Sequence, residues 1–444
     1  MSDLGRVLRL DARRATPLVA VPALAAVGVA VAWRARIPGV ADWDSAVVAL
    51  TASVRWMGPL AALLAAWLAV REQRLGYLRN LTARSPATGT LLDLLLLSHA
   101  TLLAYGMAAM VVLGETVLTQ RPGAAHPLGL LAGAGTLILH VTAGYLAGRL
   151  APFALTVVAA GAATGLWAAL RSSGGSWLSL IPPAAIGRLE PFTTLRPGAL
   201  ADEFLWSAGL TCLLVTGYVW GLTKRRLLLL PLVAALAVTV LGTQRLAEGG
   251  GAAVPSQVGH VCREWPLLIC VHPALDAGLA SLEAALTPLA ARLSTTPAAF
   301  TRVVQRPENE PIGIRRGVAF VHLTALTPGY EHEIVHQVQR TLVDPLSCGD
   351  PRNAKGRLYR GLVDLWLRGE VDLARLATPA SSPKPATGNL ERASIAASVR
   401  VPPLGGLSLA ARRFTGWSEA RRTAWLARHY HAYHTCTLDQ RHFR

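Results

Sequence analysis

The sequence predicts an α-helical polytopic membrane protein of about seven spans, followed by a mainly α-helical or α+β soluble C-terminal domain. Three observations predict it. Apolar runs too long and too poor in charge for a soluble core fill the first half and stop at about residue 245. Basic residues recur at alternate ends of those runs. Four of the five cysteines lie beyond the break. The 52% hydrophobic content therefore reflects residues 1–244, the transmembrane domain, while residues 245–444 form the soluble domain.

The seven runs are Pro17–Trp33, Ala46–Val70, Leu94–Leu113, Leu128–Gly148, Ala151–Leu170, Leu205–Leu222 and Leu227–Thr243. The first follows Arg6, Arg9, Arg13 and Arg14 and continues without a small-residue cleavage site, so it reads as a span rather than a signal peptide. Residues 1–15 alternate Leu4, Val7, Leu8 and Leu10 with those arginines, which fits an amphipathic helix on the inner membrane surface. Four basic segments fall on one side if all seven runs span: the N-terminus, the linker with Arg71, Arg74, Arg79 and Arg84, the turn with Arg149, and Lys224-Arg225-Arg226. Positive charge stays in the cytoplasm, so the N-terminus is expected there. An odd number of spans then places residues 245–444 outside, in the plasma membrane's extracytoplasmic space. Within or near spans, Arg55 and Glu115 are expected to snorkel outward, and His99 and His140 to hydrogen-bond between helices. The loop 171–204 holds Ala184–Leu189, a candidate short re-entrant or interfacial helix.

The net charge of +17 does not call for nucleic acid, because the basic residues sit at span ends and the soluble half carries only a mild excess. That half begins after Gly249-Gly250-Gly251, a flexible hinge by composition. Leu275–Leu293, Tyr330–Val343, Leu358–Leu367 and Ser418–Tyr430 read as helices, Val318–Leu323 as a strand, and residues 378–389 as a linker. Cys262, Cys270, Cys348 and Cys436 form an even set in an oxidising compartment, which suggests two disulfides. Three pairings exist. Cys262–Cys270 with Cys348–Cys436 is favoured, since the first pair closes a short loop. The alternative is four free buried thiols in a cytoplasmic domain.

The linker after the second run reads Val70-Arg71-Glu72-Gln73-Arg74-Leu75-Gly76-Tyr77-Leu78-Arg79-Asn80-Leu81, then Thr82-Ala83-Arg84-Ser85-Pro86. It resembles the permease subunits of type-2 ABC exporters, in which an Arg-Glu pair, a Gly, an apolar pair and a Thr/Ser-Pro lead into the third span. The matching positions are Arg71, Glu72, Gly76, Leu78, Leu81, Ser85 and Pro86, with Arg74 and Arg79 in the same stretch. The resemblance covers roughly residues 1–225. It departs at Arg79-Asn80, where an acidic residue is commoner, and in the seventh run, since such permeases have six spans with both termini inside. It implies that residues 71–86 rest on a separate ATP-binding subunit and that a second permease copy or paralogue completes the pathway. ATP would then be bound by the partner. None of the chain's lysines, Lys224, Lys355 and Lys384, sits in a phosphate-binding Gly-Lys-Ser/Thr loop.

Tyr330-Glu331-His332-Glu333-Ile334-Val335-His336 contains His332-Glu333-x-x-His336. On a helix the two histidines face the same way, suited to Zn²⁺, and Glu333 is placed to polarise a metal-bound water. The helix superficially resembles that of gluzincin aminopeptidases, but the position of their glutamate ligand is Lys355 here. Asp364, Glu370, His429, His431 and His434 are the other candidate ligands. Apart from this Zn²⁺ site the chain calls for no cofactor. Three functions follow from the sequence: an exporter permease doing no covalent chemistry, a membrane-anchored zinc metallopeptidase, or a sensor or scaffold.

Overall fold

A computed structural model of the chain describes residues 15–40, 42–74, 86–118, 126–171, 177–256, 258–369 and 405–444. It divides into two compact units, Met1–Gln257 and Val258–Arg444.

All seven apolar runs of the first unit are helical: α1 (Ala15–Ala35), α2 (Trp43–Arg74), α3 (Pro86–Leu118), α4 (Pro127–Leu150), α5 (Ala154–Ala169), α6 (Pro197–Thr223) and α7 (Leu229–Glu248). Five of them, α2, α3, α4, α6 and α7 with its preceding 3-10 turn, are long and apolar enough to cross a membrane; α1 and α5 are shorter apolar helices. This is the framework of a helical membrane protein. Several helices start earlier than the apolar runs do. Prolines 127 and 197 occupy the first turns of α4 and α6, where a missing N–H leaves no bond unmade. Lys224, in the left-handed region at φ 52, ends α6.

The packing is inside-out in residue size. Small residues fill the interior, among them Ala61, Ala62, Ala65, Ala66 and Ala69 on α2, while Leu95, Leu103 and Met110 on α3, Leu155 on α5 and Leu230 on α7 face outward. With lipid as solvent, apolar surface gains nothing by burial, and close backbone approach between small residues carries helix association. Gly144 and Gly148 on α4 show why. A Cβ on Gly144 would lie 2.1 Å from the Ala62 carbonyl oxygen, and one on Gly148 2.6 Å from that of Ala66. These two glycines, one helical turn apart, seat α4 directly on α2 at the centre of the bundle.

Beyond α7 the chain does not run free. Gly250 takes φ +72, and β2 (Ala253–Pro255) pairs antiparallel with β1 (Thr193–Leu195). The expected flexible hinge at Gly249–Gly251 is thus a tight turn into a strand pair. Asp44 at the start of α2 holds β1 by accepting from Thr194 Oγ1 at 2.9 Å and Leu195 N–H at 3.2 Å, and it pairs with His126 Nε2 at 3.0 Å. Residues 184–189 are not helical, contrary to expectation; Ala184 and Ala185 are buried in irregular backbone.

The second unit is α+β. Its sheet has the order β3-β4-β5-β7-β6, from β3 (Val261–Arg263), β4 (Leu268–Val271), β5 (Arg302–Gln305), β6 (Gly313–Arg315) and β7 (Val318–Val321). β4, β5 and β7 are parallel; both edge strands are antiparallel. The helix α8 (Leu279–Leu293) crosses between β4 and β5, burying Leu279, Leu282, Leu286, Leu289 and Leu293 on one stripe. Gln305 ties three strand ends together: its amide donates to Leu323 O at 2.6 Å and accepts from His272 N–H at 2.7 Å. Then follow α9 (Tyr330–Thr341), α10 (Pro345–Gly349), α11 (Ala354–Arg368), α12 (Gly405–Thr415) and α13 (Glu419–His434). Fully buried Phe414 meets Trp366, Trp425 and Phe443 at 5.4 to 5.7 Å between ring centroids.

Cys262 and Cys270, direct cross-strand partners on β3 and β4, and Cys348 and Cys436 are each within disulfide-bonding distance, at 2.12 Å and 1.93 Å. These are the two favoured pairs. Cys212, on α6, is free.

Candidate functional site

Chemistry-bearing residues gather in three places. The first is where α2, α3 and α4 meet the linker. Arg71, Glu72 and Arg74 form the last helical turn of α2, and Pro86 opens α3. Gly76, Leu78, Arg79, Leu81 and Ser85 lie outside the described residues, as does the basic segment at residues 1–14. The helix ends that bracket the linker are tied to one another. Gln73 Nε2 donates to Arg149 O at 2.6 Å, and Tyr145 OH donates to Asp93 Oδ2 at 2.7 Å. The Arg149 guanidinium lies over the Tyr145 ring at 5.4 Å, with Asp93 at 3.9 Å. Arg71 reaches back over Trp67. Three helices thus end as one cross-braced block. Asp93 and Tyr145 carry this brace and went unsingled in the sequence, because Asp93 falls just before an apolar run and Tyr145 reads as an isolated polar residue within one.

The second place is inside the bundle. Arg55 Nη2 donates to Ala168 O at 2.6 Å and Arg171 O at 2.9 Å, closing the free carbonyls at the end of α5. Arg171 lies over the Trp167 ring at 4.2 Å and donates from Nη2 to Pro182 O at 3.0 Å, which also accepts from Trp167 Nε1. Glu203, only 3% exposed, sits on α6 beside Ser207, which touches Thr136 of α4 at 3.3 Å. His140 does not bond between helices. Its Nδ1 faces Thr136 O of its own helix at 2.8 Å, while the opposite ring edge presses on Gly58 of α2. His99 is exposed, and Glu115 pairs with Arg36. Glu203 and Arg171 escaped the sequence reading because they fall just outside the apolar runs.

The third place is α9. Gly329, at φ 85, starts the helix; Ile334, Val335 and Val338 face inward. His332 and Glu333 are exposed, the His332 side chain at 82%. Glu333 pairs with Arg340, and His332 lies 3.7 Å from Glu331. Gln337 fixes the helix to β7 by accepting from His322 N–H at 2.9 Å and donating to His322 O at 3.0 Å. Among the described residues no group of three His, Cys, Asp or Glu side chains is placed to hold a metal ion. Asp364 is buried and takes bonds from Tyr433 OH at 2.6 Å and Arg360 Nε at 2.9 Å. Burial holds the Tyr433 phenol well above its usual range, so this bond keeps its proton. His434 Nδ1 faces Leu342 O at 2.7 Å, and Glu370 lies outside the described residues. Residues 429–436 are the end of α13 and its turn. The pair His332 and His336 alone supplies fewer ligands than a catalytic zinc takes from protein.

The chain matches no protein-family model, no curated protein and no solved structure.

Proposed function

We propose that the chain is the membrane-spanning permease subunit of an ABC-type exporter, coupled to a separate ATP-binding subunit through residues 71–86. The N-terminus is cytoplasmic and the α+β unit extracytoplasmic, in the plasma membrane. The chain does no covalent chemistry itself; a second permease copy or paralogue completes the pathway.

One observation supports this most. The linker joins helix ends that are braced into a block by Gln73–Arg149, Asp93–Tyr145 and Arg149–Asp93. A load applied to the linker moves α2 and α4 together, and the close Gly144–Ala62 and Gly148–Ala66 contacts carry it along the bundle. The resemblance of Arg71–Pro86 to a coupling element supplies the class of partner.

The test is affinity isolation of the tagged chain from its native membrane. A P-loop ATPase is expected to co-purify with wild type and to be lost when residues 75–85 become a Gly/Ser linker of equal length. Equal recovery with both chains, or no ATPase with either, sinks the reading.

A second reading, a membrane-anchored zinc metallopeptidase, draws on the packing of α9 against the β6–β7 hairpin, whose β6 is an edge strand among the described residues. A free edge accepts an extended peptide by strand addition. This reading requires zinc in the purified chain that disappears in a His332→Ala, His336→Ala double variant. A metal-free wild type ends it.

A further inference from the structure

The interior of the bundle holds two complementary polar atoms that the described residues leave unanswered. Glu203 Oε1 is a buried acceptor and Arg171 Nη1 a buried donor, each without a hydrogen-bond partner among the described residues. The two side chains are close enough to act on each other's charge, yet no direct ion pair joins them among the described residues. A buried, unanswered polar atom costs about 1–3 kcal/mol, more when charged. Such a pair persists where something else satisfies it.

The surroundings narrow what that is. Six residues past Pro197, Glu203 sits about 9 Å along α6 at the rise of an α-helix. Residues 181–185 run buried and non-helical, pinned by Trp167 and Arg171 on the Pro182 carbonyl. Irregular backbone at membrane depth is tolerated where protein encloses it or where it lines a cavity. Arg171 lies within reach of both the Arg55 guanidinium, which bonds its carbonyl, and the Glu203 carboxyl, whose helix touches Thr136 through Ser207. The guanidiniums stay protonated, so the set carries surplus positive charge. Leu155, Val158, Leu166 and Leu170 on and beside α5 are exposed.

We propose that Glu203 and Arg171 bind the head group of an anionic amphiphile, one that carries a phosphate or carboxylate beside a hydrogen-bond donor. Arg171 Nη1 donates to the anion, and Glu203 Oε1 accepts from the neighbouring hydroxyl or ammonium. The excess positive charge selects a net anion. The acyl chain stays in the bilayer against α5. This does not rest on coupling at residues 71–86: the binding test uses the chain without an ATPase, so either idea can fail alone.

The test is native mass spectrometry of the full chain from nanodiscs of phosphatidylcholine mixed with phosphatidylglycerol. The first lipid has the phosphate without a donor; the second has the anion and hydroxyl donors. Wild type is expected to retain phosphatidylglycerol at least about tenfold over phosphatidylcholine, the worth of one charge-assisted hydrogen bond. Arg171→Gln should remove most of that preference. Glu203→Leu should also remove it while raising the melting temperature of the lipid-stripped chain, because an unanswered buried carboxyl is gone. A purely structural ion pair gives the opposite, a lowered melting temperature. If Arg171→Gln fails to fold, the wild-type preference and Glu203→Leu still decide. Displacement by millimolar inorganic phosphate assigns the site to a free anion; retention against it assigns the site to the amphiphile. Equal retention of both lipids by wild type, or an unchanged preference in both variants, overturns the proposal.

Discussion

Gly58 and His140 show how single residues fix this bundle. A Cβ at position 58 would lie 2.8 Å from the His140 ring, and that ring is held by its bond to Thr136 O. Gly58→Ala should therefore destabilise by about 1–3 kcal/mol, the usual cost of overpacking. His140→Ala should restore the loss in the double variant, because the methyl then occupies space the ring has left. Thermal unfolding of the four proteins in one detergent tests it, and equal losses with and without His140 would refute the contact. Titration belongs to this scale too. Burial, then the nearby charges of His442 and Arg428, hold the His429 imidazole below its ordinary range. The folded chain thus binds that proton less readily than the unfolded chain. Its contribution is present above the ordinary histidine value of about 6.5 and is lost as pH falls through the lower folded value. Melting of the wild type should drop as pH falls below about 6.5. His429→Gln should flatten that drop. Sequence reading reached the histidines but not their settings: His140 reads as an interhelical bonder and is braced within its own helix. Glu203 and Arg171 were invisible because the signal that finds spans is the absence of charge.

Among elements, the two cysteine pairs close loops of different length and should matter unequally. Chain-entropy reasoning gives about 4.5 kcal/mol for the Cys348–Cys436 closure over 88 residues and about 2.5 kcal/mol for Cys262–Cys270 over eight. Cys348→Ser with Cys436→Ser should accordingly lower the urea midpoint more than Cys262→Ser with Cys270→Ser. The reverse order would place the stabilisation outside the unfolded chain. The long bridge also sits in tight packing, where a Cβ on Gly356 would fall 1.8 Å from Cys436 O. The helices of this unit were legible because each carries its own evidence: Leu279, Leu282, Leu286, Leu289 and Leu293 repeat at helical spacing, and Gly329 and Gly369 take positive φ where α9 begins and α11 ends. The strands were not. Each has three or four residues, β3 is exposed throughout, and β5 finds its partners β4 and β7 only across intervening elements. Of five strands in the sheet only β7, as Val318–Leu323, stood out as an apolar run. The HExxH spacing was equally legible, yet spacing along one helix says nothing of a third ligand from another.

For the molecule as a whole, the decisive quantity is sidedness, because every proposed partner depends on which unit faces which compartment. The charge pattern supplies the expectation: Arg71, Arg74, Arg149 and Lys224-Arg225-Arg226 lie at one set of helix ends, while the turn into α2 and the segment before α6 lie at the other. Positive-inside orientation would put the first set in the cytoplasm. If α1 and α5 cross along with all five longer helices, the unit beginning at Val258 is outside, and its two cysteine pairs meet an oxidising environment. Were either short helix to stop within the bilayer, the parity would change, and the same cysteines would sit among cytoplasmic reductants. Two reporter positions distinguish these arrangements. Leu346 is 87% exposed on α10, and Arg225 lies in the exposed turn between α6 and α7. With Cys212→Ser as background, Leu346→Cys should react with a membrane-impermeant maleimide in intact cells. Arg225→Cys should react only after permeabilisation. Both labelled from outside would mean that α7 does not cross. Leu346→Cys protected and Arg225→Cys labelled would put the second unit in the cytoplasm, the parity that follows when α5 stops within the bilayer or the whole chain is inverted, and would end the extracytoplasmic placement of its cysteine pairs.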